Sequence, residues 1–158
     1  PLLLAWDGVL SNGPYDVVSW NSMTLHMWNT QESRCPEETL EPNMTRVVEH
    51  LKQTAPNTQF IWIRCTPWRT ILEDGTHSLH NPVNARIIRF NEIVDGVMRR
   101  ERIPEVDLYA IAEKQLHTVK KGSSDTVHWG SDVSRLFADA IIREIEKHLP
   151  KKEIEDEQ

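Results

Sequence analysis

The chain of 158 residues is long enough for one domain with a hydrophobic core. Its net charge of −6 at pH 7 argues against a nucleic-acid partner, because a nucleic-acid-binding surface would be basic. No apolar stretch approaches the roughly 20 residues that a helix needs to cross a bilayer, so no membrane span is expected.

The first half of the chain is predicted to contain helices and strands in turn. Residues 1–10 are interpreted as the end of a helix, and 16–21 as a short buried strand that ends on a polar residue. Residues 30–42 are interpreted as a polar connection. An apolar period then predicts a helix that ends before Ala55, and 59–65 is the strongest strand prediction. The apolar residues of that helix are Met44, Val47, Val48 and Leu51.

The second half continues the same alternation. Residues 69–81 have no apolar period and are predicted as a loop, followed by a helix over 82–102 and a third strand over 106–111. Ser131 is predicted to be the N-cap of the last helix. The charged tail, 151–158, is predicted to be disordered. The apolar stripe of the last helix contains Val133, Leu136, Phe137, Ala140, Ile141 and Ile145.

Strands that alternate with helices predict an α/β domain over residues 1–150, with a parallel sheet covered by helices on both faces. In an open parallel sheet, ligands bind beyond the carboxyl ends of the strands. Three segments are expected at that edge. They are Asn21, the turn Thr66-Pro67-Trp68, and the loop from Asp125 to His128.

The residue types in these segments suggest acid–base chemistry. Asp125 could orient the imidazole of His128 and stabilise its protonated form, so that His128 acts first as base and then as acid. The amide of Asn21 could donate to a developing oxyanion. Taken singly, an Asn at a strand end is more often a turn residue, and a His before a helix is more often a surface or capping residue.

The tryptophans are the other unusual feature, since the chain has 6 of them. Trp62 is predicted to lie in the core because it is in the middle of a strand. Trp28, Trp68 and Trp129 could line an apolar or sugar-accommodating cleft at the sheet edge, and simple packing is an equally open interpretation of each.

The segments "DVVSWNS" and "DTVHW", the second followed by a terminal helix, resemble motifs of the SGNH (GDSL-like) hydrolase superfamily, and most closely those of its PC-esterase branch. The resemblance extends over about residues 16–149. It implies a three-layer α/β/α sandwich with a flavodoxin-like parallel sheet, and hydrolysis or transfer of acyl groups on oxygen without a cofactor. It also implies that Asn21 is the oxyanion donor, Asp125 the catalytic acid and His128 the base. Further residues that could contact an acyl-ester substrate are Ser22, Trp28, Thr66, Trp68 and Trp129.

The chain departs from that family at the nucleophile. It contains no Gly-Asp-Ser motif, and neither Ser11 nor Ser19 stands in a matching context. The resemblance therefore predicts that the chain is the C-terminal part of an SGNH-type domain. An N-terminal segment, from the same gene or a separate chain, is expected to supply the first strand, the nucleophile turn and the second strand.

Three alternatives stay open at this point. The domain could be a non-catalytic SGNH-like interaction module. A zinc site could be formed by His77 and His80 with His117 or Glu73. The 2 cysteines, Cys35 and Cys65, do not make a disulfide framework; separate thiols and a cytoplasmic location are favoured, but neither the pairing nor the compartment is determined.

Overall fold

In a computed structural model of the chain, the structure describes residues 2–21 and 36–150. The described elements, in chain order, are α1 (Leu2–Leu10), β1 (Val17–Trp20), α2 (Glu37–Thr54), β2 (Gln59–Ile63), β3 (Thr70–Ile71), β4 (His77–Ser78), α3 (Pro82–Arg100), β5 (Glu105–Val106), α4 (Leu108–Lys114), a 3₁₀ turn (Leu116–Thr118) and α5 (Ser131–Glu146). Within these ranges, no helix is long and apolar enough to cross a bilayer.

The centre of the fold is a parallel sheet with the described strands in the order β1-β2-β5. Trp20 pairs with Trp62 across β1 and β2, and Ile63 pairs with Val106 across β2 and β5. Because all three strands run in the same direction, their carboxyl ends lie at one edge. Asn21, Arg64 and Asp107 are the residues that leave the strands there.

Successive side chains of β2 point to opposite faces of the sheet, and each face has its own apolar cluster. On one face Trp62 is fully buried among residues of α2 and α3, such as Leu51 and Val94, as expected for a mid-strand tryptophan. On the other face Ile61 and Ile63 pack with partly buried residues of α5. Helices therefore cover both faces, which confirms the predicted α/β/α sandwich with a parallel sheet.

The third strand was predicted too long. β5 ends at Val106, and the apolar residues that follow belong to α4, because the side chain of Asp107 caps that helix by accepting from the amide of Ala110 at 2.9 Å. An apolar run this short fits a strand or a buried helix equally well, and the N-cap decides between them.

Three other boundaries also differ from the prediction. The connection predicted over 30–42 is wrong from Glu37 onward, because α2 begins there and includes Pro42, with two acidic residues in its first turn that favour the helix N-terminus. The predicted loop over 69–81 contains the antiparallel pair β3 and β4. The N-cap of α5 is Gly130, and Ser131 is the first helical residue. Residues 22–35 and the tail 151–158 lie outside the described residues.

Candidate active site

Asn21 lies at the carboxyl end of β1, as predicted. Its side-chain amide donates to the carbonyl oxygen of Ile63 at 2.8 Å and lies 3.6 Å from the sulfur of Cys65. This places the candidate oxyanion donor against the end of the neighbouring strand. The contact with sulfur is the weaker of the two, since sulfur is a poor acceptor.

Asparagine side chains hold the turn that follows β2. Asn84 and Asn91 lie in α3, and Asn81 directly precedes that helix. Buried Asn91 accepts from the backbone amide of Cys65 and donates to its carbonyl, both at 3.1 Å. The amide of Trp68 donates to Asn84 at 3.3 Å, and its carbonyl accepts from Asn81 at 3.1 Å. Buried polar side chains that satisfy backbone groups in this way fix the path of a turn.

Arg69 ends this turn and connects it to the candidate catalytic loop. Its side chain is 1% exposed, and its Nη2 donates to the carbonyl oxygens of His128, at 2.7 Å, and Asp125, at 3.0 Å. Its backbone amide donates to the carbonyl of Thr126 at 2.9 Å. Sequence analysis missed this residue. A single Arg in a loop belongs to no apolar period, so periodicity could not indicate it. The available signal was its position directly after Thr66-Pro67-Trp68.

Asp125 and His128 face each other within this loop. Oδ2 of Asp125 lies 3.0 Å from Nδ1 of His128, and Oδ1 accepts from the backbone amides of Val127 and His128, both at 2.9 Å. These backbone hydrogen bonds, with His128 adding to them, lower the pKa of Asp125 from its ordinary 3.8 to about 2. The carboxylate is therefore ionised at neutral pH and holds the ring through Nδ1.

The remaining ring nitrogen of His128 points away from this hydrogen bond. The His128 side chain is 82% exposed, whereas that of Asp125 is 43% exposed. An imidazole that is anchored at Nδ1 and open at Nε2 has the arrangement that a general base needs.

Two other histidines among the described residues contact carboxylates, and their geometry differs from that of His128. His50 contacts Asp7 through Nε2 at 2.6 Å, between two helices, and His148 contacts Glu144 through Nε2 at 3.2 Å within one helical turn. Neither pair is in a loop that is held to the carboxyl edge of the sheet. Proximity of a His to a carboxylate therefore does not by itself define the site.

The tryptophans at the sheet edge are half-buried. Trp68 packs against the core cluster on the α2 and α3 face. Trp129 lies between Phe137, with ring centroids 6.4 Å apart, and the guanidinium of Arg69, whose Cζ is 4.3 Å from the ring centroid. Packing therefore accounts for part of the surface of each. Thr66 is also half-buried, and Ser22 and Trp28 lie outside the described residues.

A hydrogen-bonded path joins the predicted site segments. Asn21 contacts the beginning of the turn after β2, at Cys65, and Arg69 at the end of that turn contacts the loop of Asp125 and His128. All are thereby tied to the carboxyl edge of the sheet. That Asn21, Asp125 and His128 surround one reacting atom stays a prediction.

A second group of charges follows β2 and β5 on the α3 face of the sheet. Arg64 contacts the buried carboxylate of Asp95 at 3.2 Å and also donates to Asp107. Burial, together with the hydrogen bond and the charge of neighbouring Asp95, raises the pKa of Glu105 from 4.5 to about 7. Burial also raises the pKa of Asp95.

The zinc alternative has no support in the described ranges. Among residues 2–21 and 36–150, which include His77, His80, His117 and Glu73, no three His, Cys, Asp or Glu side chains are grouped so that they could hold a metal ion. Cys65 is buried, and Cys35 lies outside the described residues, so their pairing is not tested.

No protein-family profile matches the sequence, and no curated protein matches it by sequence. Solved structures do match. An alpha/beta hydrolase from the metagenome of Lake Arreo, Spain, has a TM-score of 0.71 at 15% identity, with 94% of this chain and 68% of that chain covered. An acetylxylan esterase from Geobacillus stearothermophilus has a TM-score of 0.70 at 20% identity, with 91% and 65% covered.

A protein from Parabacteroides merdae assigned as a GDSL-like lipase gives a TM-score of 0.64 at 16% identity, with 89% of this chain and 66% of that chain covered. The chain thus has the fold of SGNH (GDSL-like) hydrolases, which confirms the fold that the sequence motifs implied. It spans about two thirds of the length of these structures, from 65% to 68%.

Proposed function

We propose that this chain carries the acid–base part of a serine-dependent carboxylic-ester hydrolase or O-acyltransferase, with His128 as base, Asp125 as its orienting acid and Asn21 as an oxyanion donor. The observation that carries the proposal is the contact of Nδ1 of His128 with an ionised Asp125 at 3.0 Å, in a loop tied to the carboxyl edge of the sheet. The fold shared with esterases supports it.

In the proposed mechanism, Nε2 of His128 takes the proton of a serine hydroxyl as the serine oxygen attacks the ester carbonyl carbon. The carbonyl oxygen becomes an oxyanion, to which the amide of Asn21 donates in place of its long contact with sulfur. When the tetrahedral intermediate collapses, the ester C–O bond breaks and the departing alcohol takes the proton from His128. Asp125 stabilises the imidazolium throughout.

The acyl-enzyme is released by the same groups in reverse order. His128 takes a proton from water, or from an acceptor hydroxyl, as that oxygen attacks the acyl carbon, and then returns the proton to the serine oxygen. Water gives a hydrolase and a sugar hydroxyl gives an acyltransferase. The half-buried surfaces of Thr66, Trp68 and Trp129 border this edge and are the proposed substrate contacts, with Ser22 and Trp28.

The nucleophile is proposed to come from a polypeptide segment that extends the sheet beyond β1. In the described residues β1 has a strand neighbour, β2, on one side, and its Val17 and Val18 are only half-buried. In α5 only Val133 is buried, whereas Leu136 and Ile142 are 39% and 50% exposed. An N-terminal strand with its helix, from the same gene or a separate chain, would cover this surface and bring the serine to His128.

The acetylxylan esterase with the same fold gives the nucleophile proposal a precedent. Its variants with Ala in place of a serine and of an aspartate are catalytic mutants. The same residue types are proposed here: a serine as the nucleophile, and an aspartate, Asp125, as the residue that orients the base. An acyl ester is accordingly the proposed substrate class, and the acyl group and the alcohol are not specified by the residues described.

The second candidate is a non-catalytic SGNH-like interaction domain. It is favoured by the orientation of Asn21, whose amide is turned to the carbonyl of Ile63 and the sulfur of Cys65. In such a module the carboxyl edge of the sheet would bind a partner without bond cleavage, and the contact between Asp125 and His128 would only stabilise the loop.

Labelling with a fluorophosphonate probe distinguishes these candidates, because the probe reacts with a serine that is activated by a base. In this and the following experiments, the full-length protein means this chain together with the proposed N-terminal segment. It is expected to be labelled at one serine, located by mass spectrometry, and its His128→Ala variant is expected to lose the label. A correctly folded full-length protein that takes up no probe would contradict the enzyme and favour the interaction domain.

A further inference from the structure

Arg69 is buried at the base of the loop that presents His128. Its single Nη2 atom donates to two backbone carbonyls of that loop, those of Asp125 and His128, at 3.0 and 2.7 Å. Its backbone amide holds a third, that of Thr126, at 2.9 Å. The loop is therefore fixed at three of the residues from Asp125 to His128.

The guanidinium is also held in orientation by an aromatic ring. Its Cζ lies 4.3 Å from the ring centroid of Trp129, the residue next to His128, and Trp129 in turn packs on Phe137 of α5. Stacking on the indole keeps the planar group in one position, so both carbonyls are bound in a fixed geometry. A lysine ammonium has no such plane and is a single point of charge.

Burial of this guanidinium is unfavourable, which makes a role in packing alone a poor explanation. Its Nε and Nη1 are buried and have no hydrogen-bond partner among the described residues, and the carboxylate of Asp125 is 4.0 Å from Nη2. Burial lowers the pKa of Arg69, and the charge of Asp125 opposes this change. A Leu or Met side chain would fill similar space without leaving buried donors unpaired.

We propose that Arg69 is a positioning residue that fixes the loop of Asp125 and His128, so that Nδ1 of His128 stays hydrogen-bonded to Asp125 and Nε2 stays directed outward. This inference rests on the proposed function, because it assigns Arg69 a role in the same reaction. Arg69 touches neither substrate nor the reacting atoms. It acts through the backbone carbonyls on both sides of the Asp125–His128 hydrogen bond.

The direct test is the tautomer of His128, read from its imidazole ¹⁵N chemical shifts in the full-length protein at a pH where the ring is neutral. The wild-type ring is expected to carry its proton on Nδ1. In Arg69→Lys and Arg69→Gln, the signal is expected to move toward the Nε2-protonated form that an unrestrained histidine favours in water. His50 is the control in the same spectrum, because it contacts Asp7 through Nε2 and lies far from this loop along the chain. Its imidazole ¹⁵N shifts are expected to stay unchanged.

A second control separates positioning from general stability. Ile87→Ala removes a buried side chain from the core on the α2 and α3 face, so it destabilises the fold without touching the loop. The His128 tautomer is expected to be the same in Ile87→Ala as in wild type. A folded Arg69→Lys or Arg69→Gln protein with a wild-type His128 signal would overturn the proposal. So would a failure of both Arg69 variants to fold, since Arg69 would then be a general stability residue.

Activity gives an independent measure in the same proteins. Arg69→Lys is expected to lower kcat for an ester substrate about 10- to 100-fold while KM stays within about twofold, because only the position of the base changes. A wild-type protein that neither turns over an ester nor takes up the fluorophosphonate probe would contradict the proposed function. The tautomer measurement would still decide the role of Arg69, so the two failures are distinguishable.

Discussion

A single carboxylate has two structural roles in the candidate site. Oδ1 of Asp125 accepts from two backbone amides and shapes the loop, while Oδ2 faces Nδ1 of His128. The short spacing of the two residues makes this possible, because one turn of chain brings the ring back over the carboxylate. A favourable loop conformation and an oriented imidazole therefore depend on the same side chain.

Asp125→Asn is expected to separate these two roles. Asn retains one side-chain oxygen, which can still accept from the amides of Val127 and His128. Its NH₂ group, however, would face Nδ1 of His128 and favour the wrong tautomer. In the full-length protein kcat for an ester is expected to fall about 10⁴-fold, the effect of the same change in serine-protease triads, with little change in Tm.

Asp132→Asn is the matched control for that variant, since Asp132 lies in the first turn of α5 and has no contact with His128 among those described. Steady-state kinetics and thermal unfolding of both variants are the measurements. Turnover of Asp125→Asn within about tenfold of wild type would show that the carboxylate does not orient a catalytic base.

How far the site could be predicted from sequence depended on whether its residues are close in the chain. Asp125 and His128 were found because their spacing is a local signal. Arg69 was missed because its contacts with that loop join distant parts of the chain, and no local pattern records them. Asn21 was placed correctly at the end of a strand, but the orientation of its amide depends on the neighbouring strand.

Among the helices and strands, the predictions differ from the structure mainly at the boundaries of the elements. β2 was predicted nearly to its boundaries, because a long run of buried residues is a strong signal. The first, apolar part of α4 was interpreted as strand because it follows Val106 of β5 almost directly, and the cap by Asp107 that separates the two elements is a property of one side chain. Helix α2 was predicted to begin too late, because the connection was interpreted as ending at Pro42. Pro42 lies inside the helix, where it cannot donate a backbone hydrogen bond to the carbonyl of Glu38, so a proline there is a misleading signal for a helix boundary.

The charge group where β2 and β5 end predicts a dependence of stability on pH. Glu105 has a folded-state pKa of about 7, above its ordinary 4.5, because of burial and of the hydrogen bond and charge of Asp95. A raised folded-state pKa means that its contribution to stability is present below about pH 4.5 and is lost as the pH rises through about 7. The free energy of unfolding from this group is therefore expected to decrease over that interval.

Glu105→Gln tests this dependence, because Gln resembles the protonated acid and does not titrate. Urea unfolding of both proteins at several pH values between 4.5 and 7 is the measurement, and the decrease is expected to be smaller in the variant. Glu113→Gln, at an exposed position of α4, is the control and should follow wild type. An equal decrease in Glu105→Gln and wild type would rule out Glu105 as its source.

At the scale of the whole molecule, the chain has the fold of SGNH hydrolases over about two thirds of the length of the matching structures. The described part contains the loop of Asp125 and His128, the turn after β2 that holds it, and α5 with much of its apolar surface uncovered. These features are the basis of the proposal that acid–base residues lie in this chain and that the nucleophile belongs to a segment that extends the sheet. Sequence patterns predicted the layers because buried periodicity is local; which surfaces stay uncovered is a property of the assembled sheet.

Turnover of p-nitrophenyl acetate by His128→Ala in the full-length protein tests the central claim most directly. His50→Ala is the matched control, because His50 also pairs with an aspartate but lies away from the sheet edge. If His128 is the base of a serine hydrolase, His128→Ala abolishes turnover while His50→Ala keeps it, and both proteins retain the wild-type fold. Turnover by His128→Ala equal to that of wild type would contradict the account.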